Sequence, residues 1–269
     1  MKISIITPTF NSQKTIAKNI QSVLSQTYKN FEQIVVDNLS KDETLNIVKE
    51  LYQKAEYISK LKIISEKDSG IADAFNKGIR IASGDIIGIL NSDDCFLSND
   101  VLARIAHEFE KPDIFFVHGD VFFDDAVFGS NQRRPLQCPI YKAMPFNHPT
   151  MFFRKEIYLN YGLYNTAYKY SMDFEFVCRL EKQIHKFREH GKYIEGDALV
   201  HMSGSGASWL NELHAVKETK QALQFHEFWN LKAAYYYTIR LSRIKLKEIF
   251  SYLGFNVLIK YWRNIKWRN

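Results

Sequence analysis

Two adjacent carboxylates, Asp93 and Asp94, follow closely on the apolar run Ile86-Ile87-Gly88-Ile89-Leu90. Such a run reads as a buried strand, and a strand end is a rigid place from which to aim side chains. Paired carboxylates there make a hard-oxygen site for a divalent cation. Cations of this kind usually take one or two protein carboxylates and fill their shell with water and substrate phosphates. The chemistry implied is that of a metal–diphosphate substrate. Mg2+ and Mn2+ suit such donors equally.

The elements that position this pair can be read upstream. Lys2 to Thr7 forms a first buried strand, punctuated by Pro8, with Asn11 or Ser12 as caps for the helix that follows. Ile16, Ala17, Ile20, Val23 and Leu24 share one face of that helix. Glu32 to Val36 is a second strand ending at Asp37; Ser40 and Glu43 then form a capping box. Lys62 to Ser65 is a third strand, Ile71 to Ala82 a helix stopped by Gly84, and Asp85 to Leu90 the fourth strand. Strands and helices alternate through the first 95 residues, the signature of an α/β fold with a doubly wound, mostly parallel sheet. Open sheets of this type bind ligands beyond the carboxyl ends of their strands. The polar groups fall there: Thr7 and Thr9, Asp37, Asp68, then Asp93 and Asp94.

After residue 112 the pattern loosens. Phe115 to Gly119, Val121 to Phe123 and Pro149 to Phe153 read as strands, Lys155–Tyr161 and Phe174 to Lys182 as helices. Arg133 to Phe146 carries Pro135, Pro139 and Pro145 and reads as loop. Asp173 starts a helix amid aromatic residues, a setting in which a carboxylate can be tuned toward general-base work.

Composition narrows the classes. Three cysteines, Cys95, Cys138 and Cys178, form no CxxC pair, which argues against a disulfide scaffold or zinc site and suits a reducing compartment. The N-terminal apolar stretch is broken at Thr7-Pro8-Thr9, so no secretion signal is read, and no run of apolar residues is long enough to span a bilayer. The net charge of +6 is uneven: from Leu231 to Asn269 nine basic residues face the single acid Glu248, leaving residues 1–230 close to neutral. A near-neutral body does not suggest nucleic-acid binding. GxGxxG and GxxxxGK[ST] are both missing, which excludes a dinucleotide-dependent dehydrogenase and a P-loop enzyme. A sugar-phosphate nucleotidyltransferase would need a Gly-rich basic loop after the first strand, and "TPTFNSQKT" has no glycine.

The runs "ISIITPTFNS", "SVLSQTYKNFEQIVVDNLSKDET", "EKDSGIADAFNKGI" and "GDIIGILNSDD" resemble family 2 glycosyltransferases of the GT-A fold, with most likeness to bacterial exopolysaccharide and lipopolysaccharide-type sugar transferases. The resemblance covers residues 2–208 and implies an inverting hexosyl- or N-acetylhexosaminyltransferase. It gives Thr7, Pro8 and Thr9 to the nucleotide pocket, Asp37 to the base or ribose, and Asp68 and Asp73 to a uracil-type base. Asp93 goes to the ribose and Asp94 to the metal. "KYSMDFEF" resembles the segment that carries the catalytic carboxylate, which makes Asp173 the base and Glu175 its reserve. His148 resembles a pocket-lining histidine, and His201 a weaker candidate as a metal ligand. The glycines of "MSGSGAS", residues 202–208, resemble a loop that closes on the diphosphate. The sequence departs from the family at Asp37-Asn38-Leu39-Ser40, where Asp-Gly-Ser is common.

The expected layout is a GT-A domain over 1–225, with 1–112 binding the nucleotide sugar and 113–225 supplying acceptor side and base, and a basic aromatic helical tail over 226–269. The donor is a nucleotide sugar, UDP-linked by resemblance, with GDP and dTDP open. The acceptor is a saccharide, lipid-linked in cell-surface polysaccharide biosynthesis. Leu246, Ile249, Phe250 and Leu253 share a helical face; with the surrounding basic residues, Trp262 and Trp267, they suit an anionic membrane surface on the cytoplasmic side. A homo-oligomer stays open. The competing reading is an inactive sugar-nucleotide-binding or scaffold subunit of a membrane glycan assembly.

Overall fold

The computed structural model describes residues 1–55, 57–124, 130–204 and 211–253. Its first half alternates as the apolar runs require: β1 (Ile3–Thr9), α1 (Ile16–Leu24), β2 (Phe31–Asp37), α2 (Thr44–Lys54), β3 (Leu61–Ser65), α3 (Ile71–Ile81) and β4 (Ile86–Ile89). Then come β5 (Cys95–Phe96), α4 (Val101–Glu108), β6 (Phe116–Gly119), β7 (Val121–Asp124), β8 (Asn131–Arg133), β9 (Phe152–Arg154), α5 (Lys155–Tyr161), α6 (Met172–Gln183), β10 (Gly191–Ile194) and β11 (Val200–Ser203). The helices α7 (Glu212–Phe225) and α8 (Leu231–Tyr252) close the described chain.

Seven strands form the central sheet in the order β10-β6-β9-β4-β1-β2-β3. All pairings are parallel except those of β9, which runs antiparallel to β4 and β6. The mostly parallel α/β fold is therefore as expected. Helices cover both faces of β1, β2 and β4, so these strands are buried almost throughout and read as apolar runs, not as alternating patterns. Ile6, Ile34, Ile87 and Ile89 meet Phe75 and Ile79 of α3 and the apolar side of α6; Ile3, Ile5 and Ile86 meet Val101, Leu102 and Ile105 of α4. Gly88 permits the insertion of β9, because a Cβ there would lie 2.0 Å from Cε1 of Phe152. A second sheet, β5-β11-β7-β8, joins the acidic end of β4 to the later strands.

The helix caps differ from expectation. α1 starts at Ile16, and neither Asn11 nor Ser12 caps it through a side chain. The Ser12 hydroxyl instead pairs with that of Ser92 at 2.9 Å. α2 starts at Thr44 with no side-chain cap bond at Glu43, so the capping box at Ser40 and Glu43 does not form. Ser40 Oγ accepts the Asn11 amide at 2.8 Å, and Asp42 Oδ2 accepts the Gln13 amide at 3.1 Å. These side chains tie neighbouring loops together at the strand ends, and that tertiary demand overrides local capping.

α7 lies against α6, and α8 packs on α7. Ala233 and Ile244 of α8 are buried, Arg240 Nη1 donates to Thr219 Oγ1 at 3.3 Å, and Lys247 pairs with Glu212 at 2.9 Å. Leu246, Ile249, Phe250 and Leu253 are exposed. No described helix is long and apolar enough to cross a membrane. The tryptophans at 262 and 267 and the basic residues from 260 onward lie outside the described residues.

Candidate active site

A cavity of about 1010 Å³ opens at the carboxyl ends of β1 to β4. Pro8, Thr9 and Phe10 wall it from β1, Asn38 from the loop after β2, Asp68 and Gly70 from the loop after β3, and Asn91 to Asp94 from the loop after β4. Facing these are His148, Lys169, Tyr170, Met172 and Asp173, with Met202 and Ser203 at the end of β11. Acidic pair and helix-borne carboxylate, 79 or more positions apart in the chain, thus border one space.

Asp94 is buried beneath the acidic loop. Its Oδ1 accepts the Ser203 amide and its Oδ2 the Asn91 side-chain amide, both at 3.1 Å. Burial, reinforced by the charge of Asp93, lifts its carboxyl to about 8 against the pull of those two bonds. A buried carboxylate in that state gains from any nearby positive charge, which fits a cation. No group of three or more His, Cys, Asp or Glu side chains suited to a metal occurs among the described residues. A hard cation held by Asp94 and Asp93 would accordingly draw its other ligands from water and diphosphate, as Mg2+ and Mn2+ readily do. His201 is engaged elsewhere: its Nε2 lies 3.3 Å from Asp124 Oδ2 and its ring stacks on Phe122.

The remaining donor-side residues divide into wall and support. Pro8, Thr9, Asp68 and Asp93 are on the wall. The Thr9 hydroxyl is buried and has no hydrogen-bond partner among the described residues, as suits a group kept for a ligand. Thr7 is fully buried behind the wall, its Oγ1 accepting from Gln33 Nε2 at 2.9 Å. Asp37 is buried too; it accepts the Ser40 amide at 3.1 Å and the Ser65 hydroxyl at 2.7 Å. Those bonds fix the Asn38-Leu39-Ser40 turn, in which Leu39 adopts a φ of 57°. Asn38 Oδ1 then accepts the Asp68 amide at 2.9 Å, joining two walls of the cavity. Burial raises the pKa of Asp68, opposed by its bond from the Gly70 amide and by Lys77. Asp73 stands off the wall; its bond from the Ser69 amide at 3.0 Å lowers its pKa.

On the facing side, Asp173 sits in the first turn of α6, and its Oδ1 accepts the Phe174 amide at 2.8 Å. Glu175 points into the body, where Arg179 at 3.0 Å and His226 at 2.9 Å hold it. The reserve candidate is thus spent on structure. His148 stacks on Phe75 with ring centres 5.8 Å apart, and burial lowers its pKa against the opposing charge of Asp173.

Two supporting residues escape sequence reasoning. Asn19 of α1 is buried; its side-chain amide donates to the Asn91 and Asp94 carbonyls at 2.8 and 3.0 Å and so holds the acidic loop. An amide on the otherwise apolar face of Ile16, Ile20 and Val23 is the signal that could have revealed it. Glu218 of α7 binds the segment before Asp173, and nothing local in the sequence marks it.

The family model for glycosyl transferase family 2 matches residues 4–176. The chain belongs to glycosyltransferase family 2. A relative from Mycobacterium tuberculosis, the PGL/p-HBAD biosynthesis glycosyltransferase, is 32% identical over 179 residues, covering 65% of this chain and 68% of the relative. Among solved structures, TarS 1–349 of S. aureus in complex with UDP-GlcNAc superposes with a TM-score of 0.67 at 19% identity, over 88% of this chain and 69% of that one. The mannosyltransferase PcManGT of Pyrobaculum calidifontis, solved with GDP-Man and Mn2+, gives a TM-score of 0.64 at 17% identity, over 98% of this chain and 82% of that one. Both likenesses establish the glycosyltransferase A-type fold. This glycosyltransferase spans about two thirds of the mycobacterial relative.

Proposed function

We propose that this glycosyltransferase transfers a hexosyl or N-acetylhexosaminyl group, with inversion, from a nucleoside diphosphate sugar to a saccharide acceptor in a metal-dependent reaction. The observation that carries the reading is the sharing of one cavity by Asp93, Asp94 and Asp173. Pro8, Thr9, Asp68 and Asp93 bind and orient the nucleotide, while Thr7, Asp37 and Asp73 hold the loops that carry them. Asp94, with Asp93 beside it, holds Mg2+ or Mn2+, which when bound offsets the charge of the leaving diphosphate. The Asp173 carboxylate takes the proton from an acceptor hydroxyl as that oxygen bonds to the anomeric carbon. The bond from that carbon to the diphosphate oxygen breaks, and the nucleoside diphosphate departs with the electron pair. A single displacement inverts the centre. Water must be kept out to prevent donor hydrolysis, a role the family resemblance gives to residues 202–208, of which 205–208 lie outside the described residues.

The donor class is supported by UDP-GlcNAc in TarS and GDP-Man in PcManGT; UDP is favoured by the motifs. Residues 1–112 make the donor half, 113–225 the acceptor half, and 226–269 a docking extension. An anionic membrane face on the cytoplasmic side, with a lipid-linked acceptor, suits the exposed apolar residues of α8. The test is thermal stabilisation by a panel of UDP-, GDP- and dTDP-sugars with and without Mn2+ or Mg2+, followed by nucleoside diphosphate release. A ligand at a hundred times its dissociation constant adds about 2.7 kcal/mol of stability. A donor that stabilises and turns over only with metal is expected; stabilisation by none of the panel overturns the reading.

A further inference from the structure

Three consecutive main-chain amides converge on one side chain at the threshold of α6. The N–H groups of Lys169, Tyr170 and Ser171 donate to the Glu218 carboxylate at 2.9, 2.8 and 2.8 Å. Glu218 belongs to α7, 47 to 49 positions further along the chain. One turn earlier on α7 the Ala215 carbonyl accepts the Ser171 hydroxyl at 2.9 Å. Ser171 occupies the N-cap position of α6 yet makes no side-chain bond to its own helix. The segment that leads into α6 is therefore held from outside, by α7, up to the N-cap residue, and Asp173 stands two residues beyond that hold.

We propose that Glu218 is a positioning residue for Asp173, holding the first turn of α6 in the frame from which the carboxylate meets the acceptor hydroxyl; this rests on the assignment of Asp173 as the base. Amide bonds to a carboxylate are charge-assisted and stronger than neutral ones. Three in a row fix the backbone of 169–171, and Lys169, Tyr170, Met172 and Asp173 all line the cavity. The other end of the segment is tied independently: Asn76 binds both the amide and the carbonyl of Tyr164 at 2.9 and 2.8 Å, and Arg179 binds the Tyr161 and Leu163 carbonyls. The body of α6 is anchored by buried Phe174, Phe176, Val177 and Leu180 and by the Glu175–Arg179–His226 cluster. Loss of the Glu218 carboxylate thus frees the segment that leads into the first turn, while the body of the helix stays in place. The donor side is untouched, since Thr9, Asp68 and Asp93 ride on other elements.

The experiment is a cycle of Glu218→Ala, Asp173→Asn and the double variant. Single turnovers are followed with whichever UDP-, GDP- or dTDP-sugar the wild type turns over fastest, and Glu212→Gln on the same helix serves as control. Glu218→Ala is expected to lower turnover at least about tenfold with donor KM changed less than about twofold; a misplacement of 1 Å can cost about a hundredfold. In the Asp173→Asn background the same change should cost less than about twofold, because the group it positions is gone. Should Glu218→Ala fail to fold, Glu218→Gln, which retains one acceptor oxygen, carries the same cycle. Unchanged turnover, or an equal loss in both backgrounds, overturns the positioning role. Normal turnover in Asp173→Asn alone overturns the base assignment instead, so the two failures are distinguishable.

Discussion

The main-chain amide of Ser203, at the end of β11, donates to Oδ1 of Asp94 at 3.1 Å and so joins the second sheet to the acidic loop after β4. This bond and the burial around it leave Asp94 facing the cavity with a carboxyl that positive charge would stabilise. Asp94→Ala should abolish transfer and remove the metal requirement for nucleotide binding, while the fold survives. Nucleotide titrations with and without Mn2+, beside a turnover assay, test this. Near-normal metal-dependent activity in the variant would remove Asp94 from the metal site.

Asp173→Asn should keep donor affinity and lower turnover by about a hundredfold or more, the scale of a lost general base. The side chain keeps its size at the start of α6, so the donor wall is undisturbed. Weakened donor binding with unchanged turnover would count against the catalytic role.

Asn19 gives a stability prediction. Its side chain satisfies the carbonyls of Asn91 and Asp94 and accepts from Gln33 at 2.9 Å, all in the interior. Asn19→Ala leaves these partners unmatched and should cost about 2 kcal/mol of unfolding free energy. The acidic loop also loses its tether, so metal-supported nucleotide affinity should fall in parallel. Denaturant unfolding and nucleotide titration check the two parts; loss of stability with unaltered affinity would limit Asn19 to a structural role.

The contrast between Asn19 and Asp94 explains what was legible. β1 to β4 can be read from sequence because strands buried on both faces are apolar runs, and Pro8, Asp37 and Gly84 punctuate them. The acidic pair is legible because it stands at such an end. The antiparallel entry of β9 between β4 and β6 is not, since Phe152–Arg154 is short and its partners are distant. Ser12 and Ser40 have the residue type and position of caps, but their hydroxyls serve contacts with Ser92 and Asn11. Thr7 and Asp37 stand at strand ends, where ligand contacts are expected, and both make internal bonds behind the wall. Long-range pairing of this sort leaves no local pattern.

Acid sensitivity should centre on Glu32, on β2. Burial alone would raise its pKa, but bonds from Ser4, Ser83, Lys2 and Lys62 outweigh that and hold it far below the usual carboxylate range. A carboxyl depressed in the folded state contributes stability above its unfolded value, about 4.3, and loses it as pH falls toward the folded one. Glu32→Gln should therefore destabilise at neutral pH by about 2 kcal/mol, leaving its donors poorly matched. It should also flatten the fall in stability below about pH 4.3. Unfolding curves from pH 7 to 2 (about the range over which the group titrates) decide it: an acid limb as steep as that of the wild type would exonerate Glu32.

The exposed face of α8 yields the last prediction. Leu246, Ile249 and Phe250 of α8, with Leu253 just past its end, are 50%, 51%, 37% and 55% exposed. The opposite side of α8 is already used, through Ala233, Ile244 and Arg240, in packing on α7. A helix fixed by one face and apolar on the other invites an apolar partner, and the charge around it selects which. Arg243 and Lys245 are exposed on the same stretch, and Lys260, Arg263, Lys266 and Arg268 follow beyond the described residues. Each basic residue close to an anionic leaflet contributes about 1 kcal/mol. The protein should accordingly float with anionic vesicles at low salt and dissociate as salt rises. Ile249→Glu with Leu253→Glu should abolish flotation without altering thermal stability, since both side chains face solvent. Deleting residues 254–269 should weaken flotation in proportion to the charge lost. Equal flotation of the double variant, or no flotation of the intact chain together with a dimer in solution, would assign the face to a protein contact instead.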